Sequence, residues 1–271
     1  MEGYEKRSLI TQRYSPRIGW PLAGALVILL TAFDVLEGSR ANLSILYILP
    51  MVLFAQSAPR RGLILVAGAV LVVLTYGCFL VKYHQHMVMQ QFLVSGITNR
   101  SFAAGSNAVS AVLLYSWVHF RAYWEARYEH LTATDMDAFI FNQIFQSLEH
   151  LVAVILCLIL TAATAAMDLV TPGEFNFAIL YAVPVVIVGL TEHRLSIWIM
   201  VIMGVTLSLV GYLWGAPATA GVPQQIAQSY WNNRMLACCM LVGTGLVMHL
   251  GVRSRGLSQR IEDSIMTRGF I

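Results

Sequence analysis

The chain has 271 residues, of which 58% are hydrophobic and only 11% charged, with a formal net charge of +3. So few charges cannot give most helices a solvated face, which excludes a soluble all-helical domain, and the small positive excess sits where membrane insertion would put it and implies no nucleic-acid partner. The apolar runs extend over roughly 17 to 23 residues, the length needed to cross a ~30 Å hydrocarbon core as a helix. An all-α integral membrane protein is expected.

In chain order, residues 1–19 are polar and charged and read as a cytoplasmic segment. The first apolar run is long enough to span and lacks a cleavage site, so it reads as a signal anchor rather than a signal peptide. Spans are predicted over 20–36, 41–57, 62–82 and 97–119, then over 148–170, 175–191, 195–214 and 234–252. Between the two sets, residues 122–147 mix Tyr123, Trp124, Phe139 and Phe141 with Glu125, Arg127 and Asp135, the pattern of an amphipathic linker on the inner membrane face or of a docking surface. A tail, 256–271, closes the chain. With the N-terminus inside, the inner segments hold Lys6, Arg7, Arg13, Arg17, Arg60, Arg61, Arg121, Arg127, Arg194, Arg253, Arg255, Arg260 and Arg268. Only Arg40, Lys82, Arg100 and Arg234 are left outside, which follows the positive-inside rule and places both termini in the cytoplasm.

The two sets of spans are copies. Residues 34–121 recur as 168–255 without a gap, at a shift of 168 − 34 = 134. The matches that matter are polar, since a chain this apolar matches Leu to Leu by accident: Asp34 with Asp168, Asn42 with Asn176, Arg60 with Arg194, Gln90-Gln91 with Gln224-Gln225, Asn99-Arg100 with Asn233-Arg234, and Arg121 with Arg255. Each copy, 20–121 and 148–255, contains an even number of predicted spans. Eight transmembrane helices are therefore expected as two parallel four-helix repeats, related by an axis along the membrane normal.

Each copy has an Asp closing its first span, Leu-Tyr-x-x-Pro in the second, a basic inner turn, Asn-Arg opening the fourth, and a basic residue ending it. In the second copy these are Asp168, Leu180-Tyr181-Ala182-Val183-Pro184, His193-Arg194, Trp231-Asn232-Asn233-Arg234 and Arg253. This order resembles the multi-span membrane input domains of bacterial sensor histidine kinases and diguanylate cyclases. The first copy matches less well, with Ile97 in place of Trp231 and Gly96 in place of Tyr230. The resemblance implies a bacterial cytoplasmic (inner) membrane protein with a sensor-like, signalling role. In such proteins the last span feeds a catalytic domain, whereas here 16 residues follow Arg255 and no phospho-acceptor His box or nucleotide-binding glycine motif is found. The expectation is a duplicated sensor unit without an output domain.

The doubled ionisable residues are the best site candidates. Asp34 and Arg100, and likewise Asp168 and Arg234, fall at matching outer depth, where charges are costly unless paired. They read either as ion pairs pinning the first helix of a copy to its fourth, or, with Asn99 and Asn233, as a pocket for a small anionic or polar ligand. Gln90, Gln91, Gln224, Gln225 and Trp231 are candidates to line that pocket. Tyr47 and Tyr181 each stand three residues before a Pro inside a predicted span, where a kink could shape a cavity or serve packing. Small residues in the fourth spans, including Gly105, Gly243 and Gly245, suit close packing between halves or subunits, and Asn107 is expected to hydrogen-bond across helices. The cysteines, Cys78, Cys157, Cys238 and Cys239, read as small apolar residues.

One loop has ligand types that suit copper, especially Cu(I): His84, His86, Met87 and Met89. The second copy has Ala218 and Ala220 in place of the two His, so the loop reads first as interfacial, and no cofactor is expected. No catalytic motif is present, and an enzyme is not the favoured reading. A regulatory membrane protein acting through a partner protein, in the membrane or at its cytoplasmic face, comes first; the alternatives are an accessory or assembly subunit of a larger membrane complex and a small-molecule transporter built from parallel repeats.

Overall fold

The computed structural model describes residues 16–36, 42–57, 62–86, 90–131, 136–170, 175–191, 193–215 and 224–268. Among these are eight α-helices and two 3₁₀ turns, and no strand. Helix α1 is Pro16–Leu36; a 3₁₀ turn, Leu43–Tyr47, runs into α2, Ile48–Ser57; α3 is Gly62–His86 and α4 is Gln90–Leu131. The order then repeats: α5 is Met136–Val170, a second 3₁₀ turn, Phe177–Tyr181, runs into α6, Ala182–Leu190, and α7, Arg194–Gly215, and α8, Gln224–Arg268, follow. The two 3₁₀ turns start 177 − 43 = 134 residues apart.

Five helices are long and apolar enough to cross a membrane, over Gly19–Leu36, Gly62–Val81, His150–Val170, Arg194–Trp214 and Tyr230–Arg253. Their outward faces are greasy: Ile28 is 72% exposed on α1, Val73 70% on α3, Ile159 60% on α5 and Ile202 64% on α7. Such a surface has no place in water and is consistent with a membrane protein.

Three expectations are revised. The runs 41–57 and 175–191 form composites rather than single α-helices, Leu43–Ser57 and Phe177–Leu190, each about one third 3₁₀ and two thirds α. At 2.0 Å per 3₁₀ residue and 1.5 Å per α residue they are about 25 Å long. Pro50 and Pro184 do not kink these helices in the middle. Each is the third residue of its short α-helix, in the first turn, where a proline is far less disruptive than in a helix interior. The third revision concerns 97–119, which lies inside α4 but is not among the five spans: Asn99, Arg100, Ser106, Asn107 and Ser110 make it polar, and all five are buried.

Helix α4 runs on unbroken to Leu131 and α5 begins at Met136, so most of 122–147 continues the neighbouring helices. No Gly or Pro occurs between 106 and 171 to stop them. In the same way α8 continues past 255 to Arg268.

The core is a ring of four. Helices α2 and α6, with their 3₁₀ turns, each pack against both α4 and α8, while the diagonal pairs α2 with α6 and α4 with α8 meet at most marginally among the described residues. Helices α1 and α3 cover the ring beside α2 and α4, and α5 and α7 cover it beside α6 and α8. Irregular backbone at membrane depth is tolerated only where protein surrounds it, and both 3₁₀ turns are almost wholly buried. Glycines admit the closest approaches. A Cβ on Gly243 would press on Leu49 of the other copy, and one on Gly68 would collide with Ala111.

Replacing Gly243 with Leu should therefore cost about 1–3 kcal/mol by overpacking, seen as a lower apparent Tm in detergent. Gly24→Leu, on an exposed face of α1 where a Cβ meets nothing within 4 Å, should leave it unchanged; equal shifts for the two variants would contradict this packing.

Candidate functional site

The last turns of α1 and α5 carry Asp34 and Asp168, 0% and 2% exposed. Each meets an arginine from the last helix of its own copy. Arg100 donates from Nη1 to Asp34 Oδ2 (2.6 Å) and from Nη2 to Asp34 Oδ1 (3.1 Å). Arg234 does the same to Asp168, at 2.5 and 2.6 Å. Both pairs are two-pronged, the strongest geometry a guanidinium and a carboxylate can adopt. Spare donor capacity goes to backbone: Arg100 Nη1 to the Thr75 carbonyl (3.2 Å) and Arg234 Nη2 to the Phe175 carbonyl (3.3 Å). Asp34 also accepts from the Leu43 N–H (3.3 Å), so the carboxylate that holds α4 holds the start of the 3₁₀ turn as well.

The asparagines preceding these arginines act between copies. Asn233 Oδ1 accepts from the backbone N–H of Asn42 (2.7 Å), and Asn99 Oδ1 accepts from the backbone N–H of Asn176 (2.7 Å). Asn42 and Asn176 open the two 3₁₀ turns, where an N–H has no partner in its own helix. Each turn is thus capped by the fourth helix of the other copy, and the two bonds are exchanged by the 134-residue shift. Asn176 Nδ2 adds a bond to the Asn233 carbonyl (2.9 Å), and Asn42 Oδ1 accepts from Ser44 Oγ.

The copies differ around their tyrosines. Tyr47 shares a hydrogen bond with Thr31 (2.8 Å) and lies 3.8 Å from Cys78 Sγ. The equivalents of Thr31 and Cys78 are Ala165 and Tyr212, and the buried Tyr181 hydroxyl has no hydrogen-bond partner among the described residues; nor has Arg234 Nε. Trp231 is 39% exposed and packs on Tyr212 at the rim, ring centroids 5.1 Å apart.

The remaining candidates separate. Gln90 and Gln91 start α4 and Gln224 and Gln225 start α8, but their side chains lie outside the described residues, as do those of His84 and His86 and the whole of Met87 and Met89. Among the described residues no group of three or more His, Cys, Asp or Glu could hold a metal ion. The expected cross-helix bond of Asn107 is not found for Nδ2, which is buried without a partner; its neighbour Ser106 instead reaches the Ile179 carbonyl (3.5 Å). Cys78, Cys157 and Cys238 are buried free thiols, and Cys239 is exposed.

Sequence reasoning passed over Asn42 and Asn176 as site residues, although they stand among the polar matches that reveal the repeat. It also missed a histidine pair at the opposite end of the second copy. His150 and His193 lie ring on ring (3.8 Å), and His150 contacts Thr191 Oγ1 (3.1 Å) and Ser196 Oγ (3.4 Å). The first copy has Pro16 and Pro59 in those places, so the repeat gave no signal for it.

Chemically, the two Asp and two Arg of the cluster pair off with one another. Any anion competing for Arg100 or Arg234 would have to displace a buried carboxylate bound through both oxygens. The arrangement is built to hold helices together. Comparison with protein-family models, curated proteins and solved structures returns no match.

Arg234→Ala should cost about 3–5 kcal/mol, because it leaves Asp168 charged and buried without its partner. Asp168→Asn combined with Arg234→Gln should recover much of that loss in thermal unfolding; a double variant as unstable as the single would contradict the pairing. Gly211 gives a subtler probe, since a Cβ there would collide with the Asp168 carboxylate whereas one at the matching Gly77 meets nothing within 4 Å. Gly211→Ala should destabilise and Gly77→Ala should not.

Proposed function

We propose that the protein is a polytopic membrane protein of eight spans, built as two parallel four-helix units about a pseudo-two-fold axis along the membrane normal, with both termini in the cytoplasm of a bacterium. Its role in this reading is regulatory and sensor-like, exerted through a partner protein. The two caps exchanged between copies, Asn233 on Asn42 and Asn99 on Asn176, support the two-fold relation. The Lys and Arg asymmetry supports the orientation, with the asparagine and ion-pair cluster at the outer face.

The observation that carries the regulatory reading is the length of the fourth helices. Helix α4 has 42 residues and α8 has 45, about 63 and 68 Å, more than twice the ~30 Å hydrocarbon core. Each is one unbroken helix that carries its Asn-Arg pair nine residues after its start and, in this orientation, extends well into the cytoplasm. A change in the cluster that tilts or rotates Arg234 would move the far end of the same helix. An accessory subunit would also offer these rods as docking surfaces, but would have no use for a link to the outer cluster.

Two measurements test the proposal. Cysteines placed at Ala58 and His193 should be inaccessible to impermeant reagents from outside the cell, and those at Gln85 and Thr219 accessible; the reverse pattern would overturn the topology. A photo-crosslinker at Ser258 on α8 should capture one stoichiometric partner in cells of the native host, and Asp168→Asn with Arg234→Gln should change the efficiency of that crosslink without loss of the folded protein. A partner captured equally well by both forms would favour the accessory subunit. No partner, with solute uptake by the protein alone in liposomes, would favour a transporter.

A further inference from the structure

Buried side-chain atoms without a hydrogen-bond partner are not spread evenly through the molecule. Among the described residues, every one lies on the ring of α2, α4, α6 and α8 or on the turns leading into α2 and α6; none lies on α1, α3, α5 or α7. Six stand at successive depths along the ring. At the clamp end are Asn42 Nδ2 and Asn176 Oδ1, both beside Asn233. Further along are Asn107 Nδ2, Ser110 Oγ and Thr244 Oγ1, and at the other end is Gln56 Oε1, whose Nε2 donates to the Val247 carbonyl (3.5 Å).

Two of the six, Ser110 and Thr244, stand on a helical stripe. Asn99, Ala103, Ser106 and Ser110 lie on one face of α4, and their equivalents Asn233, Ala237, Met240 and Thr244 on one face of α8, all buried. Ser110 and Thr244 are themselves equivalent, 244 − 110 = 134. From Asn233 to Val247 along α8 is about 21 Å at 1.5 Å per residue, most of the thickness of a hydrocarbon core.

Lipid cannot satisfy these atoms, and a dry interior charges each the full cost of its lost hydration. Donors (Asn42 and Asn107 amides) alternate with acceptors (Asn176 and Gln56 carbonyls) and with hydroxyls that serve as either. That mixture suits a small neutral molecule that both gives and takes hydrogen bonds, and it does not suit an ion, whose charge would find no counterpart. We infer that the seam between the two copies is a binding lane for water-sized neutral hydrogen-bonding molecules, occupied by a file of internal water from the asparagine clamp to Gln56. This goes beyond the regulatory reading and rests only on the ring.

The probe is water itself. Hydroxyl radicals generated by X-ray radiolysis of the purified full-length protein oxidise side chains next to bound water even where bulk solvent has no access. Met240 and Met248, both 0% exposed, lie one turn to either side of Thr244, and Met248 Sδ is 3.6 Å from Gln56 Nε2. Cys157 is equally buried, on α5 outside the ring. Met240 and Met248 should be oxidised at least several-fold faster than Cys157; rates no higher than that of Cys157 would overturn the lane. Ser110→Ala combined with Thr244→Val should cut oxidation of Met240 several-fold with helical content retained, and an unchanged rate in the folded variant would overturn it equally. Should that variant fail to fold, the comparison within the wild-type protein decides.

Discussion

Two peptide N–H groups, those of Asn42 and Asn176, set the terms for this architecture. Each opens a 3₁₀ turn buried in the centre of the molecule, and each is capped by an asparagine of the other copy at 2.7 Å. In lipid an uncapped N–H costs several kcal/mol, so neither copy satisfies its own backbone. A four-helix unit standing alone would leave its turn open and its fourth-helix asparagine idle. Crossing the bonds solves both defects at once, and it makes the ring of α2, α4, α6 and α8 the smallest unit in which both of these N–H groups are capped.

The two ion pairs serve this arrangement from within each copy. Arg100 and Arg234 are the residues immediately after the capping asparagines, so fixing the guanidinium on Asp34 or Asp168 also fixes the asparagine that must reach across. Adjacent side chains on a helix diverge by about 100°, which is how neighbours in sequence can face the first helix of one copy and the 3₁₀ turn of the other. The charges earn no net stability by being buried; they determine direction. The two halves nonetheless differ in detail. Tyr47 is held by Thr31, while Ala165 stands at the place equivalent to Thr31 and the Tyr181 hydroxyl is unmatched among the described residues. Gly211 is pressed against Asp168 whereas Gly77 is open.

Much of this was legible in residue order. Apolar run length gave helices suited to a membrane, and the shift of 134 linked Asp to Asp and Arg to Arg because few residues in such a chain are polar at all. The pairing of Asp34 with Arg100 could be posed from depth alone. What the order of residues does not contain is which copy a side chain serves: Asn42 and Asn176 looked like one more match, and nothing local says that each is capped from the far half. The 3₁₀ turns were hidden for a similar reason, since Leu-Tyr-x-x-Pro is as apolar as a span and a proline reads as a kink until its place in the first turn of a short helix is known. Helix ends at 131 and 268 were missed because polar residues without Gly or Pro continue a helix as readily as they form a linker.

The central claim is the exchange of caps, and cysteine cross-linking tests it most directly. In a background with the four native cysteines replaced by alanine, Asn42→Cys with Asn233→Cys, and Asn99→Cys with Asn176→Cys, should each form an intramolecular link on mild oxidation or with a short bifunctional reagent in native membranes. Failure of both pairs in folded protein, or links formed only between separate molecules, would contradict the crossed arrangement.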